Sequence, residues 1–188
     1  MRIITDNIDK YDKDWWEKFY SLHHHTYNQD ELEAFKAASD EIGDKMMIDV
    51  GCGEGFFAQF KENYFGLDWS EEAIKQARKN NPGKYFKAGD ITEVKEKFDY
   101  ALLSMVFEHL ENPKDYVQEI RKIANKIVVI IPNGEMGSVC VENDKAILSP
   151  DFEDLDYHFA TYTKEDIAVM YPKSKLLHEN GTTLTFLI

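Results

Sequence analysis

A glycine-rich loop and two acids are the residues whose types and spacing point most directly to chemistry. Gly51, Gly53 and Gly55 alternate with other residues directly after a short apolar run that contains Asp49. Glycine lets a backbone approach a ligand closely because it has no Cβ, and the start of a following helix offers unpaired N–H groups. Asp68 ends the next apolar run, where a carboxylate accepts hydrogen bonds from ribose hydroxyls. The pattern predicts a site for a nucleotide-like ligand.

The spacing of the glycines separates two kinds of nucleotide site. The dinucleotide fingerprint requires G-x-G-x-x-G, whereas here the third glycine comes one residue early and position 56 is phenylalanine. The loop, D-V-G-C-G-E-G, resembles motif I of the class I S-adenosylmethionine (SAM) dependent methyltransferases. The resemblance implies that SAM is the cofactor, with S-adenosylhomocysteine (SAH) as its product. The implied cofactor-binding residues of this loop are Asp49, Gly51, Cys52, Gly53 and Gly55.

Two further strand ends fit the same resemblance. Asp68 is expected to bind the ribose, and the next residue, Trp69, is expected to pack against the adenine. Asp90 and Ile91 follow a third apolar run and resemble motif III. This implies that the Asp90 carboxylate accepts from the adenine amino group and that the Ile91 backbone reaches the ring. The alternative for Asp68 is a helix cap, for which Ser70 is better placed.

The fourth apolar run, residues 98–104, leads into the segment expected to face the reacting groups. In an open α/β sheet, ligands bind beyond the strand ends where the strand order reverses. Ser104 is therefore expected beside the methionine end of the cofactor. The E-H-L string around His109 resembles small-molecule methyltransferases of types 11 and 12. His109 is a candidate catalytic residue; the alternatives are a structural role at a helix start and a contact with acceptor or cofactor.

His158 and Tyr162 are the other catalytic candidates. They lie in an H-x-x-x-Y-T pattern that resembles the segment before the last helix of type 11 methyltransferases. The alternative is that they anchor a loop. Direct methyl transfer from a sulfonium loses charge in the transition state, so it mainly requires alignment and desolvation. A base is needed only if the acceptor arrives protonated.

Strands and helices must alternate along the chain to position these residues. Five strand–helix units precede a hairpin, for which Asn180-Gly181 is a strong turn signal. The resemblance implies an α/β fold: a Rossmann-like, seven-stranded, mostly parallel sheet with helices on both faces. The implied strand order is 3-2-1-4-5-7-6, with strand 7 antiparallel.

Local signals predict where the helices begin and end. Asp30 and Glu33 form a box-like cap for a helix that Gly43 ends, and apolar spacing predicts a helix over residues 56–63. The other predicted helix starts are Ser70, Asn112 followed by Pro113, and Thr163 with Asp166.

Residues 1–29 are expected to form a helical lid or cap on a single methyltransferase domain of residues 30–188. Aromatic and apolar side chains recur there at helical spacing, at Trp15, Trp16, Phe19 and Leu22. They either close the edge of the core or cover the acceptor pocket. The histidines at residues 23–25 lack the cysteines or acids of a zinc site, so no metal is expected.

Composition narrows the acceptor and the cell compartment. The chain has 188 residues and a net charge of −13, so nucleic acid is an unfavourable partner and a small-molecule acceptor is expected. No apolar run is long enough to span a membrane. The two cysteines, Cys52 and Cys140, indicate a reducing cytoplasm rather than a disulfide framework. The oligomeric state stays open.

Two other classes of protein stay open as well. One is an NAD-dependent oxidoreductase of a related Rossmann fold, against which the early third glycine and the terminal hairpin speak. The other is a non-catalytic relative that binds SAM and acts as a partner subunit, which would fit a chain without a strongly marked catalytic residue.

Overall fold

The computed structural model describes residues 2–3, 12–22, 27–133 and 160–188. Within these ranges the strands are β1 (Arg2–Ile3), β2 (Met47–Val50), β3 (Tyr64–Asp68), β4 (Tyr85–Ala88), β5 (Phe98–Ser104), β6 (Ala124–Pro132), β7 (Ala160–Thr161), β8 (Lys175–Glu179) and β9 (Thr183–Leu187). The α-helices are α1 (Lys13–Leu22), α2 (Gln29–Ile42), α3 (Glu71–Asn80), α4 (Pro113–Arg121) and α5 (Lys164–Met170). None of these helices has both the length and the apolar character to cross a membrane.

Seven of the strands form one sheet in the order β4-β3-β2-β5-β6-β9-β8. β2 pairs in parallel with both β3 and β5, whereas β9 runs antiparallel to both β6 and β8. Counted among the sheet strands alone, this is the order 3-2-1-4-5-7-6 with strand 7 antiparallel, so the predicted fold is confirmed. The order reverses between β2 and β5, which is where ligands bind in open α/β sheets.

Alternate side chains of the central strands enter two separate cores. In β5, Ala101 and Leu103 belong to one core and Tyr100 and Leu102 belong to the other. Helices α4 and α5 contribute to the first core, and α2 and α3 to the second. Since both faces of the sheet are covered, the last six residues of β6 are all buried, as expected for an inner strand of a sheet with helices on both faces.

Four predicted helix termini are confirmed, and one of them is Asn112, which precedes Pro113 at the start of α4. Ser70 caps α3 by accepting a hydrogen bond from the Ala73 N–H at 3.1 Å. Thr163 and Asp166 form the reciprocal capping box of α5. Gly43 ends α2 with φ 58°, a left-handed value that glycine adopts without a steric penalty.

The predicted start of α2 is wrong. The cap is Asn28 with Glu31, two residues before the predicted pair of Asp30 and Glu33. The Asn28 side chain accepts from the Glu31 N–H at 3.0 Å, and the Glu31 carboxylate accepts from the Asn28 N–H at 2.7 Å. Both pairs match the capping-box spacing, and the earlier one satisfies the backbone donors of α2.

The predicted helix over residues 56–63 is also wrong, because only a short 3-10 helix, Phe56–Phe60, forms there. Lys61 is extended, with φ −136°, and its ammonium donates to the Ser39 and Gly43 carbonyls at the end of α2. The last carbonyls of a helix are short of backbone donors, and the Ser39 carbonyl accepts from the Gly43 N–H as well, at 3.0 Å. The buried lysine therefore adds a donor at the end of α2, and its extended backbone ends the 3-10 helix.

The N-terminal segment contacts the rest of the fold in two places. β1 pairs antiparallel with β7, where Arg2 lies opposite Thr161, and α1 packs against α3. These two contacts hold residues 2–3 and 12–22 against the rest of the fold.

Candidate cofactor and acceptor site

The glycine loop leaves β2 and turns back beneath the end of β3. The Gly51 N–H donates to the Leu67 carbonyl at 2.8 Å. Gly51, Gly53 and Gly55 have φ values of +76°, +51° and +78°, which side chains with a Cβ rarely adopt. A Cβ at Gly51 would also lie 2.5 Å from Val106 Cγ2. The loop therefore needs glycine for its backbone conformation and for its closeness to the loop after β5.

Asp68 joins the glycine loop to the start of α3. Its Oδ2 accepts from the Gly53 N–H and its Oδ1 from the Ser70 N–H, both at 2.9 Å. Burial raises the pKa of Asp68 to about 6, although these two donors act in the opposite direction. Each carboxylate oxygen has a second lone pair, so the carboxylate retains acceptor capacity for the hydroxyls of a ligand.

Asp49 is a buried acid at the end of β2, and 2% of it is exposed. Its Oδ2 accepts from the Tyr64 hydroxyl at 2.7 Å, while its Oδ1 is buried without a hydrogen-bond partner among the described residues. Burial raises the pKa of Asp49 to about 7; the Tyr64 hydrogen bond lowers it and the Asp68 charge raises it further. An unsatisfied buried acceptor costs free energy, so this oxygen is suited to a ligand that brings a donor.

The predicted adenine-binding residues lie at the neighbouring strand ends. Trp69 follows β3 directly and is 44% exposed. Asp90 follows β4 and caps a short 3-10 helix, with its Oδ1 accepting from the Thr92 N–H at 2.8 Å. Ile91 is buried. The ring of Trp69 is thus available to a ligand, and the roles given to Asp90 and Ile91 stay predictions.

The loop after β5 lies against the glycine loop. Ser104, the last residue of β5, is half-buried. Met105 has φ 54° and is the one non-glycine residue with positive φ in the described ranges, a conformation that costs ~1–2 kcal/mol. Val106 then packs on Gly51. The loop after β5 therefore lies against the glycine loop, beside the ends of the paired strands β2 and β5.

Helix α1 lies across this junction. The Tyr20 hydroxyl is 2.8 Å from the position that a Cβ of Gly53 would occupy. The Trp16 ring meets the His109 ring edge-on, with centroids 5.1 Å apart at 81°. The helix therefore contacts both the glycine loop and the loop after β5, a position that fits the predicted lid.

Tyr162 lies beneath the loop that contains His109. It is 1% exposed, and its ring is 5.4 Å from that of Phe107. Burial, and then the Glu108 charge, raise the pKa of Tyr162 to about 12, so at neutral pH its hydroxyl is a donor. His158, the third catalytic candidate, lies outside the described residues, as do Cys140 and the histidines at residues 23–25.

Tyr20, Tyr64 and Val106 have contacts in the site that sequence reasoning missed. Tyr20 stands four residues after Trp16, so helical spacing could have placed it on the same face. Tyr64 and Val106 had no comparable signal, because an aromatic residue in a strand and a valine in a loop are ordinary core residues.

Comparison with solved structures shows the same fold in proteins of very different sequence. A complex of DhpI with SAM and HEP superposes with a TM-score of 0.70 at 11% identity, covering 98% of each chain. Magnesium protoporphyrin IX methyltransferase from Synechocystis PCC 6803 with bound SAH gives 0.64 at 12%, covering 95% of each. The plantazolicin methyltransferase BpumL with SAH gives 0.61 at 18%, covering 97% of this chain and 87% of that one.

The chain thus shares its fold with proteins whose structures contain SAM or SAH. More particularly, residues 48–130 match the family model described as a methyltransferase domain, of the type 11 kind, which confirms the resemblance noted in the glycine loop. An uncharacterized protein of Methanocaldococcus jannaschii is 29% identical over 127 residues, which are 67% of this chain and 58% of that protein. The chain thus spans well under two thirds of that relative's length.

Proposed function

We propose that this protein transfers the methyl group of SAM to a small-molecule acceptor at the junction of β2, β3 and β5. The observation that supports this most strongly is the meeting, at one edge of the sheet, of the glycine loop with two buried acids, Asp49 and Asp68. Asp49 Oδ1 lacks a partner among the described residues, and Asp68 is oriented by two backbone donors. A ligand with both donor groups and hydroxyls fits this arrangement.

Different residues would bind different parts of SAM. SAM, when bound, supplies a methyl group on a positively charged sulfur. Asp68 would accept hydrogen bonds from the ribose, Asp49 would accept from the amino group of the methionine portion, and Trp69 would pack on the adenine. Gly51 and Gly53 would allow the backbone to approach without a Cβ. Ser104 would lie beside the methionine portion.

The acceptor would lie between α1 and the loop after β5. His109 borders this space, and its ring contact with Trp16 makes it an acceptor contact in this proposal. Neither His109 nor Tyr162 is required as a base, since methyl transfer to an unprotonated nucleophile needs mainly alignment. The small size of the acceptor is supported by the net charge of −13, which disfavours nucleic acid. Residues 1–29 would act as the lid of a single domain, residues 30–188, in the cytoplasm.

Calorimetric titration with SAM, SAH and NAD tests this proposal. We expect micromolar binding of the two adenosyl compounds and none of NAD. Binding of NAD alone would refute the proposal and favour the oxidoreductase reading. Binding of SAM without methyl transfer to any member of a broad panel of amines, phenols, thiols and carboxylates would favour a non-catalytic partner subunit.

A further inference from the structure

Glu17, in the middle of α1, makes contacts that the binding roles above leave unexplained. Its Oε2 accepts from the Ser70 hydroxyl at 2.8 Å and from the Glu72 N–H at 2.9 Å, and its Oε1 accepts from the Glu71 N–H at 2.7 Å. Glu71 and Glu72 form the first turn of α3, whose N–H groups have no partner within the helix. One carboxylate of α1 therefore satisfies several donors at the start of α3.

Glu17 is also connected to the residue proposed to bind the ribose. The Ser70 hydroxyl donates to Glu17 and accepts from the Ala73 N–H, while the Ser70 N–H donates to Asp68. Ser70 is completely buried, so its hydrogen bonds are fixed by these partners. Ser70 therefore links the carboxylate that attaches α1 to α3 with the carboxylate proposed to bind the ribose.

The same helix places Tyr20 above the glycine loop. Tyr20 follows Glu17 by three residues, which puts both on one side of α1. The Tyr20 hydroxyl lies 2.8 Å from the position that a Cβ of Gly53 would occupy, next to the space that glycine leaves open for a ligand's approach. When Glu17 holds α1 on α3, Tyr20 therefore stands in the path to the loop.

We infer that Glu17 is a positioning residue that holds α1 closed over the cofactor loop, so that the cofactor exchanges only after the Glu17 carboxylate leaves the start of α3. The inference rests on the proposed function, since it assumes that SAM and SAH bind at this loop. Entry and departure of the cofactor both pass through the form in which α1 is open. The opening of α1 therefore affects the association and dissociation rates of the cofactor more than it affects the affinity for the cofactor.

The kinetics of SAH binding test this inference, and the tryptophans of the protein provide a fluorescence signal for the measurement. The three tryptophans are Trp15 and Trp16 in α1 and Trp69 beside Asp68, so stopped-flow tryptophan fluorescence reports the site. In the natural protein we expect the observed rate to level off at high SAH concentration, at the rate of α1 opening. In Glu17→Ala we expect association and dissociation to accelerate together, by roughly tenfold or more, because hydrogen bonds to a charged group are lost.

Two further variants separate the hold on α1 from general damage. Asp14→Ala removes the same charge from an exposed position of the same helix, and we expect its rates to be unchanged. Tyr20→Ala clears the space above Gly53 without touching Glu17, and we expect it to accelerate association as well. If Glu17→Ala does not fold, as judged by thermal unfolding, Glu17→Gln takes its place, and a smaller acceleration in the same direction is expected.

The possible outcomes distinguish failure of this inference from failure of the proposed function. No SAH binding to the natural protein would overturn the proposed function itself. Binding with unchanged rates in Glu17→Ala would overturn the inference alone. Faster dissociation with unchanged association would also overturn it, because Glu17 would then strengthen the bound state instead of controlling entry.

Discussion

Replacing Asp49 with asparagine should change how the stability of the protein without cofactor depends on pH. Burial raises the pKa of Asp49 from 3.8 to about 7, so the folded chain holds this proton more tightly than the unfolded chain does. Stability from this group is therefore fully present below pH 4 and is lost as the pH rises through 7. At ~1.4 kcal/mol per pH unit between the two pKa values, the whole loss is ~4 kcal/mol.

Urea denaturation at a series of pH values, followed by tryptophan fluorescence, measures this effect. Measurement should stay above the isoelectric point near 4.9, so a range from pH 5.5 to 8.5 is suitable. About half of the loss, ~2 kcal/mol, falls within that range. The free energy of unfolding of the natural protein should decrease by that amount relative to Asp49→Asn, whose amide oxygen still accepts from the Tyr64 hydroxyl but cannot ionise.

The comparison between variants isolates Asp49 from other titrating groups. Asp40→Asn makes the same chemical change at an exposed position of α2 and serves as the control for the substitution itself. If the free energy of unfolding of Asp49→Asn runs parallel to that of the natural protein, Asp49 is ionised as readily in the folded protein as in water. The conclusion that Asp49 is a buried carboxylate with a raised pKa would then be wrong.

Three other substitutions test the site and the fold. Gly53→Val should abolish SAM binding, as measured by titration. Gly43 has a similar φ of +58° and no atom within 4 Å of the position of an added Cβ. Gly43→Val should therefore bind SAM normally and lose only ~1–2 kcal/mol of stability, as measured by thermal unfolding. Asp68→Ala should weaken SAM binding by ~1–3 kcal/mol, the usual cost of losing a charged hydrogen-bond partner, and equal affinity would remove Asp68 from the site. Asn28→Ala should lower the free energy of unfolding by ~1 kcal/mol without changing SAM affinity, because its capping box lies outside the site.

The sheet could be predicted from the sequence because its strands have local signals. The segment at residues 98–104 became β5 with the predicted bounds, since apolar residues bounded by polar ones define a buried strand. The final hairpin formed at Asn180-Gly181 as predicted, but neither residue has the positive φ of a type I′ turn. Instead, the Asn180 Oδ1 accepts from the N–H groups of Thr182 and Thr183. The strand order itself came from the family resemblance, because pairing across the sheet has no local signal.

The helix boundaries that were wrong depended on contacts distant in sequence. The pairs Asn28 with Glu31 and Asp30 with Glu33 both have the spacing of a capping box, and spacing alone could not choose between them. The end of the short helix after the glycine loop depended on the ammonium of Lys61 reaching α2, which no periodicity predicts.

The site was predictable where backbone chemistry determines the residue type. The positive φ values of the three glycines and the acid at the end of β3 belong to this group. The contacts of Glu17 and Tyr20 were not predictable, because an aromatic helix has many apolar surfaces on which it could pack. Their partners became known only from the position of α1 beside α3.

The place of β9 in the sheet has a consequence for synthesis of the chain. β6 ends at Pro132 and its antiparallel neighbour β9 begins at Thr183, so about 50 residues separate the two partners. At ~5–20 residues per second, a ribosome needs ~3–10 s to supply them. During that time the apolar edge of β6 is unpaired, and unpaired edges are templates for aggregation. The nascent protein should therefore depend on chaperones most while the residues between β6 and β9 are being made.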